Sequence, residues 1–142
     1  MSTTIRKILD GRKLHSIAPG AVLREAARQM AEHGAGALVV LEDGALVGIL
    51  SERDIVFRAV AQGLHSDETL VSDVMTRDPV TVGIDDAVSD TLAARLGDAF
   101  RHLPVVDGAL VVGVLSFRDI PPEYVMMYER FREMSGATAD QT

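Results

Sequence analysis

The chain lacks the residues and segments that would tie it to a secretory or membrane environment. It contains no cysteine, which excludes disulfides and thiolate metal sites. No apolar stretch reaches the roughly 20 residues that a membrane-spanning helix needs. The first residues, MSTTIRK, lack the apolar run of a signal peptide. The sequence therefore predicts a soluble, cytoplasmic protein with no membrane partner.

Motifs typical of catalysis and metal binding are also missing. The four histidines, His15, His33, His65 and His102, do not have the spacing of metal ligands. The sequence has no Gly-x-Ser-x-Gly, no Gly-x-x-x-x-Gly-Lys and no pair of catalytic carboxylates. We therefore expect no metal site, no catalytic cofactor and no enzymatic activity.

Positive charge is scarce. The 14 lysines and arginines are outnumbered by 21 acidic residues, which gives a formal net charge of −7. This balance argues against non-specific binding of nucleic acid. An anionic ligand would need a local group of basic residues that overrides the overall field. With 142 residues, 47% of them hydrophobic, the chain can form one compact domain or two small fused ones.

One string of the sequence occurs twice. Residues 44–55 read GALVGILSERDI, and residues 108–120 read GALVVGVLSFRDI. When one inserted valine is allowed for, ten of the twelve positions are identical. An offset of 65 residues also relates Ser16 to Thr81 and Leu38 to Leu103. The sequence therefore predicts a tandem duplication.

Each copy of the string predicts a hairpin followed by the start of a helix. A turn at Asp-Gly joins two short runs of valine and leucine, which is typical of a β-hairpin. The second run ends in Ser-x-x-Asp, which resembles a capping box. The free backbone N–H groups of such a helix start, beside a hydroxyl and a carboxylate, suit a phosphate and a sugar.

The complete repeat predicts an α+β fold of two β-α-β-β-α units. We expect one unit at residues 1–64, a second at 65–121, and a C-terminal amphipathic helix with a disordered tail at 122–142. In the first unit, the helix that begins near Glu52 should bury Ile55, Val56, Ala59 and Val60.

The second unit departs from the first at Pro121 and Pro122, where a proline should stop or restart the helix. From Pro122 onward, Tyr124, Met127, Tyr128 and Phe131 follow helical spacing. This apolar stripe can either pack on its own module or form a dimer contact. We favour the dimer because the proline break separates the helix from the repeat.

The paired strings, the segment VSDVMT at residues 71–76 and the segment RHLPVVD at 101–107 resemble the CBS (cystathionine-β-synthase) domain. The resemblance covers residues 3–120. It implies a tandem pair whose repeats pack about a pseudo-twofold axis and leave two clefts. Such clefts take adenosine-containing ligands: AMP, ADP, ATP, S-adenosylmethionine or NAD(H). The resemblance also implies a regulatory nucleotide or energy sensor that forms a homodimer and controls a protein not identified by the sequence.

The resemblance assigns binding roles to both Ser-x-x-Asp motifs. Ser51 and Asp54 in the first unit, and Ser116 and Asp119 in the second, match the family's hydroxyl and ribose-binding carboxylate. A carboxylate accepts two adjacent hydroxyl donors well, with charge-assisted hydrogen bonds. Alternatively, the serines only cap helices, and the two roles are compatible.

Further positions match the strands that flank the base. Ser16 and Ile17, with Thr81 and Val82, resemble the edge that contacts adenine, although both pairs could be ordinary strand residues. The residues that match the strand beside the base are Ala37, Leu38, Leu103 and Pro104.

The candidate cations for a phosphate are Arg53 and Arg118, directly after the serines, and Arg101 with His102. Isolated surface arginines are more often solvated partners in salt bridges. Arg101 and His102 are favoured because the family uses this position for phosphate. The first unit has Gly36 and Ala37 there, so the two clefts differ.

Two hypotheses of function follow. In the first, the chain is a stand-alone regulatory module that binds adenosine-containing ligands. In the second, it is a structural or protein-interaction module with vestigial clefts, and its C-terminal helix recruits a partner.

Overall fold

The computed structural model describes residues 3–94 and 102–140. The helices are α1 (Ile5–Leu9), α2 (Leu23–His33), α3 (Glu52–Asp54, continued by a π-helix at Ile55–Val60), α4 (Val71–Val74), α5 (Val88–Ala94) and α6 (Pro122–Asp140), with a 3₁₀ turn at Phe117–Asp119. The strands are β1 (Ser16–Ile17), β2 (Ala37–Glu42), β3 (Ala45–Ser51), β4 (Thr76–Arg77), β5 (Val82–Gly83), β6 (His102–Asp107) and β7 (Leu110–Ser116).

The strands form two sheets, and three strands of each have the same order and connectivity, as the duplication predicts. The first sheet has the order β1-β2-β3-β4 and the second the order β5-β6-β7. In each, a short strand runs parallel to the first strand of a hairpin, pairing Ile17 with Val40 and Val82 with Val105. Each hairpin shifts register after the same position, Val40 or Val105. The predicted α+β fold of two repeated units is confirmed.

The hairpin turn of the first unit has the geometry that its sequence requires. Asp43 and Gly44 have φ values of 51° and 82°. Two successive positive φ angles define the type I′ turn, whose twist matches that of the flanking strands. Aspartate and glycine are among the residues that tolerate this conformation, so the turn follows directly from the sequence.

Two apolar clusters form the core, and each contains a helix from the other half of the chain. The first cluster consists of Ile17, Leu23, Ala26, Met30, Leu38, Val40, Leu50, Ala59, Val71, Val74 and Met75. The second consists of Ile5, Leu9, Val82, Val88, Leu103, Val105, Leu115 and Ile120. Thus α1 packs on the second sheet and α4 packs on the first. Each of the units at residues 1–64 and 65–121 contributes its first helix to the core of the other. This exchange joins the two units.

Two glycines allow the exchanged segments to lie close against the hairpin strands, and the segment after α4 pairs with β3 as β4. A methyl group at Gly48 would lie 2.6 Å from Met75 Sδ and 2.9 Å from the Thr76 carbonyl oxygen. A methyl group at Gly113, the equivalent position in the second unit, would lie 2.9 Å from Leu9 Cδ1. Any larger side chain at these positions would collide with the exchanged residues that lie against them.

The helix that follows β3 does not bury the face that the sequence predicts. Ala59 is buried and Ile55 is half-buried, but Val56 is 50% exposed and Val60 is 67% exposed. The π-helix explains the difference, because its hydrogen bonds join residues five apart, as Ala61 N–H to Val56 O does at 2.9 Å. The wider turn changes which side chains share a face. The expected burial of Val56 and Val60 is wrong.

The proline break occurs where the sequence predicts it. The 3₁₀ turn ends at Asp119 and α6 begins at Pro122. Tyr124 and Val125 then pack against the second cluster, and the Tyr124 hydroxyl donates to Thr3 Oγ1 at 3.0 Å. The start of α6 therefore packs on its own module rather than serving only as a dimer contact. The side chains of Tyr128 and Phe131 lie outside the described part of the structure.

We expect alanine at Gly48 to destabilise the protein more than alanine at Gly113. The new methyl group at Gly48 meets a backbone carbonyl, which cannot move without the chain, whereas at Gly113 it meets the flexible end of Leu9. Overpacking of this kind costs about 1–3 kcal/mol of unfolding free energy. Urea denaturation of both variants measures the difference. Equal stabilities for the two variants would contradict this difference between the contacts at Gly48 and Gly113.

Candidate functional site

A cavity of about 370 Å³ lies between the two units. From the first unit it is lined by the segment 12–15 and the loop 33–37, together with Leu9 of α1. From the second unit it is lined by His102 at the start of β6, Gly113 and Val114 of β7, and the turn residues Ser116, Arg118 and Asp119. The cavity is therefore a cleft that both repeats build.

The second Ser-x-x-Asp turn places its carboxylate in this cleft. Asp119 Oδ2 accepts a hydrogen bond from Ser116 N–H at 2.8 Å, and Ser116 Oγ accepts one from Arg118 N–H at 3.3 Å. The capping that the sequence predicts is thus present. It fixes the Asp119 side chain, which is 15% exposed, at the wall of the cavity.

The segment after α1 brings an arginine to the same carboxylate. Arg12 Nη1 donates to Asp119 Oδ1 at 2.6 Å. Arg12 N–H is held by Leu9 O at 2.8 Å, and Leu9 is buried in the second cluster. Because α1 is exchanged, Arg12 is anchored to the same unit as Asp119.

The lining of the cleft is basic although the chain is acidic. Among the described residues that line it, Arg12, Lys13 and Arg118 are permanent cations and Asp119 is a carboxylate. Within the described residues, no acidic side chain forms an ion pair with Lys13 or Arg118. This is the local basic group that an anionic ligand requires in a protein of net charge −7.

Three histidines also line the cleft. His15 and His33 stack with ring centroids 4.2 Å apart and an interplanar angle of 17°. The pKa of His15 is lowered by burial, and further by His33 and Lys13. His102 approaches from the second unit, and a methyl group at Gly36 would lie 3.1 Å from its Nε2. Gly36 therefore lets the two units come close at this point.

The first Ser-x-x-Asp turn forms the same capping box in a different setting. Ser51 Oγ accepts from Asp54 N–H at 3.1 Å, and Asp54 Oδ2 accepts from Ser51 N–H at 3.0 Å. Asp54 Oδ1 accepts from Thr76 Oγ1 at 3.3 Å and lies 3.7 Å from Arg58 Nε. Arg77, which the 65-residue offset pairs with Arg12, instead donates to Ser72 O at 3.2 Å. The two turns therefore have different partners.

The structure brings some of the sequence-predicted site residues together and leaves others apart. Those that line the cavity are Ala37, His102, Ser116, Arg118 and Asp119. Those that do not line it are Ser16, Ile17, Leu38, Ser51, Arg53, Asp54, Thr81, Val82, Leu103 and Pro104. Arg101 lies outside the described residues.

Several residues outside the cavity have clear positions. The side chains of Ile17, Leu38, Val82 and Leu103 belong to the two core clusters. The Arg53 guanidinium stands over the Phe57 ring, 4.8 Å from its centroid.

Sequence reasoning missed Arg12, Lys13 and His33, which line the cleft. A signal for Arg12 was available, because the offset of 65 residues pairs it with Arg77. Nothing local indicates that the segment after α1 reaches the second unit.

As for metals, the described residues include no group of three or more histidine, aspartate or glutamate side chains able to hold an ion. Likewise, none of the described helices is both long and apolar enough to cross a membrane.

The family follows from comparison with known proteins. The family model described as the CBS domain matches residues 5–60 and again residues 71–120. The chain belongs to the CBS domain family. The two matched stretches correspond to the two repeats, so this is a tandem CBS domain protein.

Three relatives illustrate the similarity. The CBS domain-containing protein CBSCBSPB3 of Arabidopsis thaliana is 33% identical over 137 residues, 96% of this chain and 24% of that protein. The CBS domain-containing protein YhcV of Bacillus subtilis is 34% identical over 105 residues, 74% of each chain. The structure of a CBS domain protein of Pyrobaculum aerophilum complexed with AMP is 29% identical, with a TM-score of 0.77. It covers 90% of this chain and 99% of that one. This chain thus spans about a quarter of the plant relative.

We expect the stacked histidines to make stability depend on pH. The folded pKa of His15 lies below the unfolded value of about 6.5, so the unfolded chain binds the proton more readily. The stability that the neutral form of His15 contributes is fully present above about pH 6.5. It is lost as the pH falls from there towards the folded pKa. Melting temperatures from about pH 8 to about pH 5.5 should fall less steeply in His15→Gln than in the wild type. His65→Gln, an exposed histidine, is the control, and equal slopes in all three proteins would refute the effect.

Proposed function

We propose that this tandem CBS module is a non-catalytic sensor that binds an adenosine-containing ligand in the cleft at Asp119. The observation that carries the proposal is the joint lining of one cavity by a capped Ser-x-x-Asp turn and a group of cations. A relative with the same fold forms a complex with AMP, which supports this choice of ligand class. The candidates are AMP, ADP, ATP, NAD(H) and S-adenosylmethionine.

Each part of such a ligand has a partner of suitable chemistry in the cleft. Asp119 would accept hydrogen bonds from the ribose hydroxyls. Lys13 and Arg118 would neutralise the phosphate, and arginine matches the geometry of phosphate oxygens. The apolar side chains of Leu14 and Val114 are available to the base. We further propose a second site at Ser51 and Asp54, with weaker affinity because its carboxylate has different partners.

Ligand binding would change the relative arrangement of the two repeats. The cleft is lined by both units, so a ligand that contacts both stabilises one relative arrangement over others. We infer that this arrangement is read by a regulated protein partner, in the cytoplasm.

Replacing Asp119 with alanine should weaken binding in this cleft. Isothermal titration of the wild type against AMP, ADP, ATP, NADH and S-adenosylmethionine should identify at least one ligand. In Asp119→Ala the affinity for it should fall about tenfold or more, because charge-assisted hydrogen bonds to the ribose are lost.

Asp67→Ala is the matched control, since Asp67 also pairs with an arginine, Arg24, at 3.2 Å, but lies outside the cavity. Asp54→Ala should remove only the proposed second site, so the number of sites measured by titration should fall while binding at Asp119 is unchanged. No binding of any ligand by the wild type would favour an interaction module with vestigial clefts.

The surface also supports the homodimer that the family resemblance implies. Val56, Phe57 and Val60 of the helix after β3 are 50%, 54% and 67% exposed, and Leu64 beyond it is 45% exposed. Adjacent apolar side chains of this size rarely remain in water on a small protein. We infer that a second copy of the chain covers them.

Phe57→Glu should therefore convert the dimer to a monomer. The substitution places a charge at the centre of the proposed contact, where an unpaired buried charge is strongly unfavourable. Size-exclusion chromatography with light scattering measures the mass. Leu110→Glu, at a leucine that is 65% exposed elsewhere on the molecule, is the control and should leave the dimer intact. A wild type that runs as a monomer at all concentrations would contradict the inference.

A further inference from the structure

Both oxygens of the Asp119 carboxylate already have a donor. Ser116 N–H donates to Oδ2 at 2.8 Å, and Arg12 Nη1 donates to Oδ1 at 2.6 Å. A ribose diol needs the same acceptor. A ligand that places its ribose on Asp119 must therefore displace Arg12 or share the carboxylate with it.

In such a displacement Arg12 loses its ion pair with Asp119 unless its guanidinium finds another anion. Its side chain is 51% exposed, so it has room to turn away from Asp119. A phosphate group gives it a replacement, since arginine binds phosphate as well as carboxylate through paired N–H donors. A neutral nucleoside provides no replacement. The loss of the ion pair then counts fully against its binding.

The neighbouring charges favour the same outcome. Lys13 follows Arg12 directly, and Arg118 lines the same cavity, so a phosphate near Arg12 is attracted by all three cations. The backbone of Arg12 is held by Leu9, which keeps the guanidinium within reach of the cleft after its side chain turns.

We propose that Arg12 is the specificity-determining residue of this cleft, excluding neutral nucleosides from Asp119 and admitting nucleotides by transferring its guanidinium from the carboxylate to a phosphate. This proposal rests on the proposed function, because it concerns the same cleft. It adds a residue and a selection rule that the Ser-x-x-Asp motif does not contain.

The test compares AMP with adenosine by isothermal titration. The wild type should bind AMP and should bind adenosine much more weakly. In Arg12→Ala the affinity for adenosine should rise about tenfold, and the affinity for AMP should fall about tenfold, since one charge-assisted hydrogen bond is gained or lost. The ratio of the two affinities should thus fall about a hundredfold. Arg12→Lys should retain part of the preference for AMP, because it keeps the charge without the fork of donors.

Arg24→Ala removes a matched exposed ion pair with Asp67 and should leave the ratio unchanged. In the Asp119→Ala background, Arg12→Ala should no longer raise the affinity for adenosine, because the carboxylate that it releases is absent. Gain of adenosine binding in that background would overturn the proposal.

Other outcomes separate this proposal from the proposed function. If the wild type binds AMP and adenosine equally, or if Arg12→Ala changes both affinities by the same factor, the selection rule is wrong while the proposed function stands. If the wild type binds neither compound nor any other adenosine-containing ligand, both proposals are wrong.

Discussion

The exchange of first helices between the two repeats is the constraint on which the site depends. Because α1 packs on the second sheet and α4 on the first, neither half has a complete core without the other. The segment after α4 forms β4, which pairs with β3 at Gly48, and Leu9 at the end of α1 contacts β7 at Gly113. These contacts bring Thr76 to Asp54 and Arg12 to Asp119. Core packing and the environment of the two carboxylates therefore have the same origin.

The duplicated backbone supports two different electrostatic settings. In both Ser-x-x-Asp turns the aspartate accepts a hydrogen bond from the serine N–H. Asp119 also pairs with Arg12 in a cleft with further cations, whereas Asp54 accepts from the Thr76 hydroxyl and lies 3.7 Å from Arg58. The two sheets and the two core clusters nevertheless correspond, so the difference lies in the residues around the turns.

Local patterns explain which predictions from the sequence were confirmed. The hairpins, both capping boxes and the break at Pro121 depend on residues a few positions apart, whose conformational preferences act within one segment. The prediction of the buried face of the helix after β3 was wrong because a π-helix interrupts the spacing of a regular α-helix. Val56 and Val60 are exposed as a result. The roles in ligand binding that the family resemblance implies for Ser51, Asp54, Ser116 and Asp119 stay predictions.

The sequence by itself determined the duplication, the α+β class and the conformation of each Ser-x-x-Asp turn. Repeated strings can be seen directly in the sequence, and short-range hydrogen bonds depend only on neighbouring residues. Only the tertiary structure decided that Arg12 pairs with Asp119, 107 residues away, and that His33 and His102 line one cavity. Such contacts arise from the way two sheets and two exchanged helices bury their apolar faces. Burial of apolar area is non-directional, so no local pattern identifies which polar side chains it brings together.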